Sequence, residues 1–474
     1  MQNFYKQLIS GFLYIAIAKY SGLIINLIIT TILARLLEPN DFGVVSIALI
    51  VINFFAVFSD MGLAPAIIQR KDLNEQDLSI LFSFTIVLGV FMAFIFYLIA
   101  PYISLYYDNE LLTPVCQLLA INVFFASANI VPNGLILKNK RFRFMAVRTL
   151  FVQLLCGIVS CILAFNSAGI YSLLLTPITS SVFIFFINYK QHRLNFSFTI
   201  NKSTFSKIAS YSMFQLLFNI SSYVVCNLDK FIIGKRLGMS QLGFYDKSYQ
   251  LIQLPIVTTA NVLIPVLHPL LSNYQHDNEK VLHYNDQIVK VLAFIGFTLS
   301  VFFYFSSREI IILLFGYQWI EAIPVFKILS LSIGWQTIMS SCNAFFQAAN
   351  STKYLFVAGI YNSIIIIISL VVSVIFYSSV ESLAWAWVIS RILNLINTYW
   401  FLNVKVLKGK YSCFIKQLYK PILSSIFISI ILCVLDMYTS NYRLIISFLL
   451  KSLLILLFII IIYFNLHKNE AINE

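Results

Sequence analysis

Long apolar runs, cut at intervals by short polar clusters, dominate this chain. About fourteen of them are long enough to cross a membrane as helices, since about 20 residues span a hydrocarbon core of about 30 Å. They cover approximately residues 11–34, 42–63, 78–101, 113–137, 146–165, 168–189, 206–233, 242–268, 284–305, 324–347, 353–376, 381–403, 420–438 and 442–465. Polar, Pro or Gly residues mark the breaks, as at Glu38-Pro39-Asn40-Asp41, Asp108-Asn109-Glu110, Asn139-Lys140-Arg141 and Lys408-Gly409-Lys410. The longest connections, near 190–205 and 404–419, are on the order of 15 residues, too short for a soluble domain. At the start of the chain, Lys6 and Ala16-Ile17-Ala18 imitate a cleavable signal, but apolar residues continue from Gly22 to Leu33, so this segment is expected to span. The pattern predicts an all-α polytopic membrane protein of about 14 transmembrane helices.

Composition agrees with the pattern. Of the 474 residues, 60% are hydrophobic and 11% charged, against about 25% charged in a soluble domain. Mean hydropathy is +0.87. The seven cysteines form no CxxC and no Cys/His cluster, and Cys116, Cys156, Cys161, Cys226 and Cys342 read as small buried hydrophobes. The net charge of +13 sits on no soluble domain as a basic patch, so nucleic acid is not an expected partner.

Lys and Arg fall unevenly among the connections. Those on the even side hold Arg70 and Lys71; Lys138, Lys140, Arg141 and Arg143; Lys190, Arg193, Lys202 and Lys207; and Lys405, Lys408, Lys410, Lys416 and Lys420. The opposite connections hold mainly Arg35, Lys235, Arg236, Arg308 and Arg443, with acids such as Asp108, Glu110 and Glu381. Cytoplasmic loops carry the excess of Lys and Arg. Both termini are therefore expected in the cytoplasm, which requires an even number of spans.

The chain also looks duplicated. Ala34-Arg35-Leu36-Leu37-Glu38-Pro39-Asn40-Asp41-Phe42-Gly43 resembles Lys235-Arg236-Leu237-Gly238-Met239-Ser240-Gln241-Leu242-Gly243, with a one-residue gap. Asn133-Gly134 through Lys140 likewise matches Asn343-Ala344 through Asn350, each ending the fourth helix of its half. Six helices per repeat make the repeats parallel, and the interface of such repeats is where transporter sites lie. The expected organisation is an N-lobe at 1–190, a C-lobe at 206–403, a cavity between them, and two added helices at 404–474.

Polar residues inside spans are costly and usually face the bundle interior or water. Helix 1 carries Lys19, Gly22, Asn26 and Thr30 at helical spacing; its repeat partner, helix 7, carries Tyr211, Gln215, Asn219, Ser222, Cys226 and Asp229. Helix 2 shows Ser46, Asn53 and Asp60; helix 8 shows Asp246, Gln250, Gln253 and Asn261; helix 10 shows Lys327, Ser330, Gly334, Thr337 and Ser341; helix 12 shows Arg391, Asn394 and Thr398. Interhelical hydrogen bonds, at about 0.6 kcal/mol each, account for the Ser and Thr positions. Lys19 and Arg391, deep in their spans, point instead to an anionic cargo, because phosphate suits both ammonium and the guanidinium fork. The candidate substrate-binding set is Lys19, Asn26, Gln215, Asn219, Arg391 and Asn394, with Asp60 and Asp229 as candidates for ion coupling. His192, His268, His276, His283 and His467 are dispersed, and no HExxH, GxSxG or P-loop pattern occurs. No catalytic, metal or cofactor site is expected.

Two stretches carry a family resemblance. Ala34 through Gly43, and Phe58-Ser59-Asp60-Met61-Gly62-Leu63-Ala64-Pro65-Ala66-Ile67-Ile68-Gln69-Arg70-Lys71, resemble the opening of the Wzx-like polysaccharide and O-antigen flippases of the multidrug/oligosaccharidyl-lipid/polysaccharide exporter superfamily. Leu242-Gly243-Phe244-Tyr245, and Asn133-Gly134 with Lys138 to Phe144, look like its later signatures. The resemblance covers residues 1 to about 410. It implies a two-lobed core of twelve helices, often extended to fourteen, working by alternating access on a polyprenyl-pyrophosphate-linked oligosaccharide in the bacterial inner membrane. The implied partners are that lipid-linked oligosaccharide and membrane lipids, with H⁺ or Na⁺ coupling left open and the chain acting as a monomer. The alternatives are a multidrug cation antiporter or a lipid II flippase of the same superfamily, and a membrane enzyme acting on lipid-linked sugars. An antiporter for cations usually needs a buried carboxylate, whereas the first helix carries Lys19 and no acid; such an enzyme needs a sizeable outer loop, and none is present.

Overall fold

The computed structural model describes residues 2–70, 73–197, 220–272, 277–377, 379–439 and 442–470, and every regular element among them is a helix. Contacts divide the chain into two compact units, Met1–Gly243 and Phe244–Glu474. In the first unit lie α1 (Gln2–Leu36), α2 (Pro39–Asp60), α3 (Leu63–Gln69), α4 (Glu75–Tyr107), α5 (Leu112–Ala128), α6 (Ile130–Lys138), α7 (Phe142–Phe165) and α8 (Tyr171–Gln191). A further helix, α9, covers residues 220–236. Helix α10 (Met239–Ser272) begins in this unit and continues into the second. The second unit adds α11 (Asn278–Phe305), α12 (Ser307–Phe315), α13 (Ala322–Ser330), α14 (Ile333–Met339), α15 (Cys342–Ala348), α16 (Thr352–Phe376), α17 (Val380–Trp400), α18 (Tyr411–Thr439) and α19 (Leu444–Glu470).

Among the described residues nine helices are long and apolar enough to cross a membrane, and Ala322–Ser330 with Ile333–Ala348, bent by 44°, makes a tenth. Their outer faces are apolar: Val87, Phe91 and Phe94 on α4 and Ile364, Ile368 and Ile375 on α16 are exposed. Water would penalise such faces and lipid does not, so the chain is a multi-pass membrane protein. Each apolar run of the sequence falls on a helix or a broken helix; the first half of the run at 206–233 lies outside the described residues. The segment that imitates a signal peptide is part of one continuous helix, α1.

The largest departure from expectation is the run at 324–347. It forms three short helices, α13 to α15, where one was predicted. Serine hydroxyls compete for the backbone carbonyls: Ser330 Oγ donates to Lys327 O (2.7 Å), Ser332 to Leu329 O (2.6 Å) and Ser340 to Thr337 O (2.7 Å). Such back-bonding bends helices. The run at 113–137 is likewise split, into α5 and α6 at Asn129. Not every cysteine is buried: Cys116, Cys156, Cys161 and Cys342 are, whereas Cys226 and Cys433 are exposed.

Local chemistry fixes the helix ends. Asn74 and Asp77 form a reciprocal capping box at the start of α4, Asp77 N–H donating to Asn74 Oδ1 at 2.7 Å. Pro39 sits in the first turn of α2, where its missing N–H costs nothing. At one end of the first unit Lys138 Nζ donates to Arg70 O (2.7 Å) and Asn139 meets His192 (3.4 Å), so three of the basic even-side connections gather there. At the ends of α4 and α9, Lys235 pairs with Asp108 at 2.7 Å.

The two aligned copies of the duplicated motif touch reciprocally within the first unit. A Cβ on Gly43 would lie 1.8 Å from Met239 O, and one on Gly243 would lie 2.1 Å from Pro39 O. Each glycine thus packs on the first residue of the other helix, α10 or α2. Backbone oxygens cannot swing aside, so only glycine fits. Gly43→Ala is expected to destabilise the purified protein by about 1–3 kcal/mol, read as a lower melting temperature in detergent. Gly359→Ala, with open space at its Cβ, is expected to leave melting unchanged; equal behaviour of the two variants would contradict this packing.

Candidate functional site

In the second unit the broken helix α13–α15 runs beside α17, with α13 and α14 packed against it. Interrupted helices mark substrate sites in transporters because they leave polar groups without ladder partners. One face of α17 carries Trp387, Arg391 and Asn394, at i, i+4 and i+7. The Arg391 guanidinium carbon lies 3.8 Å from the centre of the Trp387 ring, a cation–π contact. Tyr249 of α10 meets that ring edge-on at 5.5 Å. Nearby, Gln253 Nε2 donates to Gln336 Oε1 (3.3 Å), and Gln336 Nε2 donates to Ser332 Oγ (2.8 Å).

What separates this face from an ordinary helix contact is its unmet hydrogen-bonding capacity. Trp387 Nε1, Arg391 Nε, Asn394 Oδ1 and Thr337 Oγ1 are all buried without a partner. Each such atom costs about 1–3 kcal/mol when nothing pairs with it, and four of them gather here on α17 and α14. Thr398, the last member of the predicted stripe, is by contrast already used, accepting from Asn362 Nδ2 at 2.9 Å. Among the described residues no carboxylate forms an ion pair with Arg391.

The first unit holds a different arrangement around Arg148 of α7, which the polar-stripe reading misses. Its Nη1 donates to Asn188 Oδ1 of α8 and, at 3.5 Å, to Asn133 Oδ1 of α6. Asn188 Nδ2 in turn donates to Asn129 Oδ1 (2.7 Å), at the α5–α6 break. Arg148 is 8% exposed and forms no ion pair among the described residues. Neutral amides hold this charge. Its sequence signal was its place inside the predicted span 146–165, five residues beyond the loop cation Arg143. The breaks at α5–α6 and α13–α15 fall on the fourth and tenth predicted spans.

The remaining predicted residues are placed as follows. On α1, Gly22 faces α7, its carbonyl accepting from Gln153 Nε2 at 2.9 Å, while Lys19 and Asn26 are exposed. Asp60 ends α2, and its Oδ1 accepts from Ala64 N–H at 3.4 Å across a turn in which Met61 and Gly62 have φ of 44° and 74°. Asp229 is fully buried on α9, and its Oδ1 accepts from the Lys230 N–H at 2.8 Å. Gln215 and Asn219 lie outside the described residues. Arg391 and Asn394 are therefore brought together in one unit, and Lys19, Asn26, Asp60 and Asp229 belong to the other.

Comparison with known proteins gives a consistent answer. The family described as "Polysaccharide biosynthesis protein" matches residues 32–324. The teichuronic acid biosynthesis protein TuaB of Bacillus subtilis is 23% identical, covering 93% of this chain and 92% of its own. The lipopolysaccharide biosynthesis protein WzxC of Escherichia coli is 22% identical, over 88% and 85%. Among solved structures, the lipid II flippase MurJ in an inward closed conformation superposes with a TM-score of 0.75 at 16% identity, covering 95% of this chain and 99% of that one. The fold is that of a membrane transporter.

Removing an acceptor from a buried, hydrogen-bonded group costs about 1–3 kcal/mol, and more when the group is charged. Asn188→Leu, which leaves Arg148 without its nearest acceptor, is expected to lower the melting temperature sharply and reduce the protein's level in membranes. The double change Asn188→Leu with Arg148→Met is expected to recover most of that loss. No recovery would show that Asn188 acts otherwise than by holding the guanidinium.

Proposed function

Because this chain belongs to the polysaccharide biosynthesis protein family, we propose that it flips a polyprenyl-pyrophosphate-linked oligosaccharide across the bacterial inner membrane. The observation that carries this reading is the α17 face, where Arg391 lies on Trp387 with hydrogen-bonding atoms unmet around it and no carboxylate paired to it. A pyrophosphate supplies acceptors for the guanidinium and indole N–H, and sugar hydroxyls supply donors for Asn394. The names of TuaB and WzxC, which concern teichuronic acid and lipopolysaccharide, support a cargo destined for a cell-surface polymer.

The sugar and its phosphates enter from the cytoplasmic side, while the polyprenyl tail stays in lipid. Two lobes of six helices, with two more appended, rock about the cargo to expose it to the other side. Lys19 and Asn26, with Gln215 and Asn219, contribute from the first lobe. Both termini are cytoplasmic, because the basic even-side connections belong there. An inside-negative potential favours an anion leaving the cytoplasm by about 2.3 kcal/mol per charge per 100 mV. Asp60 and Asp229 are the candidates for H⁺ or Na⁺ coupling, and Asp229, fully buried, is the stronger. The chain works as a monomer. A lipid II flippase would need the same site chemistry and differ only in its sugar; a cation antiporter would need a carboxylate where Arg391 stands.

In a strain lacking the chromosomal copy, Lys19→Ala and Arg391→Ala are each expected to abolish surface polysaccharide while the protein's membrane level holds. Wild-type polymer from the double variant would remove the cationic site.

A further inference from the structure

A polar cavity of about 600 Å³ lies in the second unit, where α11 and α18 finish and α12 and α19 begin. Its floor is a buried ionic cluster. Lys451 Nζ, fully buried, donates to Glu309 Oε1 (2.6 Å), Asp436 Oδ1 (2.6 Å) and Phe305 O (2.8 Å), which uses all three of its donors. Ser447 Oγ donates to the same Glu309 Oε1 at 2.6 Å. Two carboxylates against one ammonium leave one negative charge.

The walls reverse that balance. Arg308, Lys327 and Arg443 all line the cavity, so its net charge is two positive. None of the three forms an ion pair among the described residues; Lys327 rests on the Tyr304 ring at 4.6 Å. Arg308 stands in the first turn of α12 and Arg443 immediately before α19. A cation there meets the positive end of the helix dipole and is disfavoured unless an anion accompanies it. One further atom calls for a partner of the opposite kind: Glu309 Oε2 is buried with no hydrogen-bond donor, in a residue 5% exposed.

Three cations and one vacant carboxylate oxygen ask for a ligand that is both an anion and a hydroxyl donor. We propose that this cavity binds a polyol phosphate, its phosphate held by Arg308, Arg443 and Lys327 and a hydroxyl donating to Glu309 Oε2. A glycerol phosphate headgroup of a bilayer lipid fits, and so does a soluble polyol phosphate. Tyr317 and Tyr442 on the cavity wall are of the kind that gathers at headgroup depth. The site is separate from the α17 face and stands whether or not the cargo assignment does.

The test is lipid binding to the purified full chain by native mass spectrometry. Phosphatidylglycerol is expected to bind in preference to phosphatidylcholine, and the double variant Arg308→Gln, Arg443→Gln to bind it at least about ten-fold more weakly, equal to about 1.4 kcal/mol. Both arginines are exposed, so the variant's melting temperature in neutral detergent is expected to match wild type; Lys327→Gln serves as a second, independent variant. Phosphatidic acid, which lacks the polyol hydroxyls, is expected to bind more weakly than phosphatidylglycerol. Competition by soluble glycerol phosphate assigns the site to a soluble ligand, and absence of competition assigns it to the lipid. Undiminished phosphatidylglycerol binding by the double variant and by Lys327→Gln, or equal wild-type binding of phosphatidylcholine, overturns the proposal.

Discussion

A guanidinium inside a membrane protein cannot be left alone. Taking a charge out of water is expensive, and few polar groups are available in an apolar bundle to replace the water lost. This chain meets the constraint in two ways. Arg148 is surrounded by the carboxamides of Asn133 and Asn188, with Asn129 behind them, so its charge is spread over neutral acceptors. Arg391 is treated otherwise: it lies on the ring of Trp387, and its Nε, the indole N–H and Asn394 Oδ1 beside it find no partner. The first arrangement is largely satisfied from within the fold. Both guanidinium Nε atoms lack a partner, but on α17 the indole N–H and Asn394 Oδ1 lack one as well, and this is why the anionic cargo is proposed to bind there.

A third charged cluster lies around Lys451. Lys451 is completely satisfied by Glu309, Asp436 and the Phe305 carbonyl, and so behaves as structure joining α11, α12, α18 and α19. Around it Arg308 and Arg443 are exposed and Lys327 rests on the Tyr304 ring. A buried charge with every donor paired and a charge without an ion-pair partner are physically different conditions, although both look like polar residues in an apolar chain when only the sequence is read.

That distinction sets what could be read from residues alone. Spans were legible because lipid imposes a length and an apolar composition on each helix, and α2, α7 and α16 follow the apolar runs to within a few residues. Gly43 and Gly243 were legible as a repeated motif, but their reciprocal backbone contact was not, since nothing in a pattern says which two glycines meet. The breaks of α13–α15 escaped because they come from serine hydroxyls bonding back to carbonyls three residues earlier, a competition that hydropathy does not register. Arg148 escaped for a similar reason: a cation five residues past a basic loop reads as part of that loop until its asparagine partners, distant in sequence, are seen. Arg391 and Asn394 were found because their helical spacing put them on one face; that Trp387 completes the face needed coordinates, as an aromatic in a membrane helix is ordinarily core.

If the α17 face binds the phosphates of a lipid-linked sugar as it crosses the bilayer, transbilayer movement of a fluorescent polyprenyl-pyrophosphate-linked oligosaccharide in proteoliposomes depends on Arg391. Wild-type protein is predicted to move it, and Arg391→Gln, which keeps the side chain's polarity and loses its charge, to move it at least about ten-fold more slowly, a barrier change of about 1.4 kcal/mol. Equal rates for the two proteins would contradict the account.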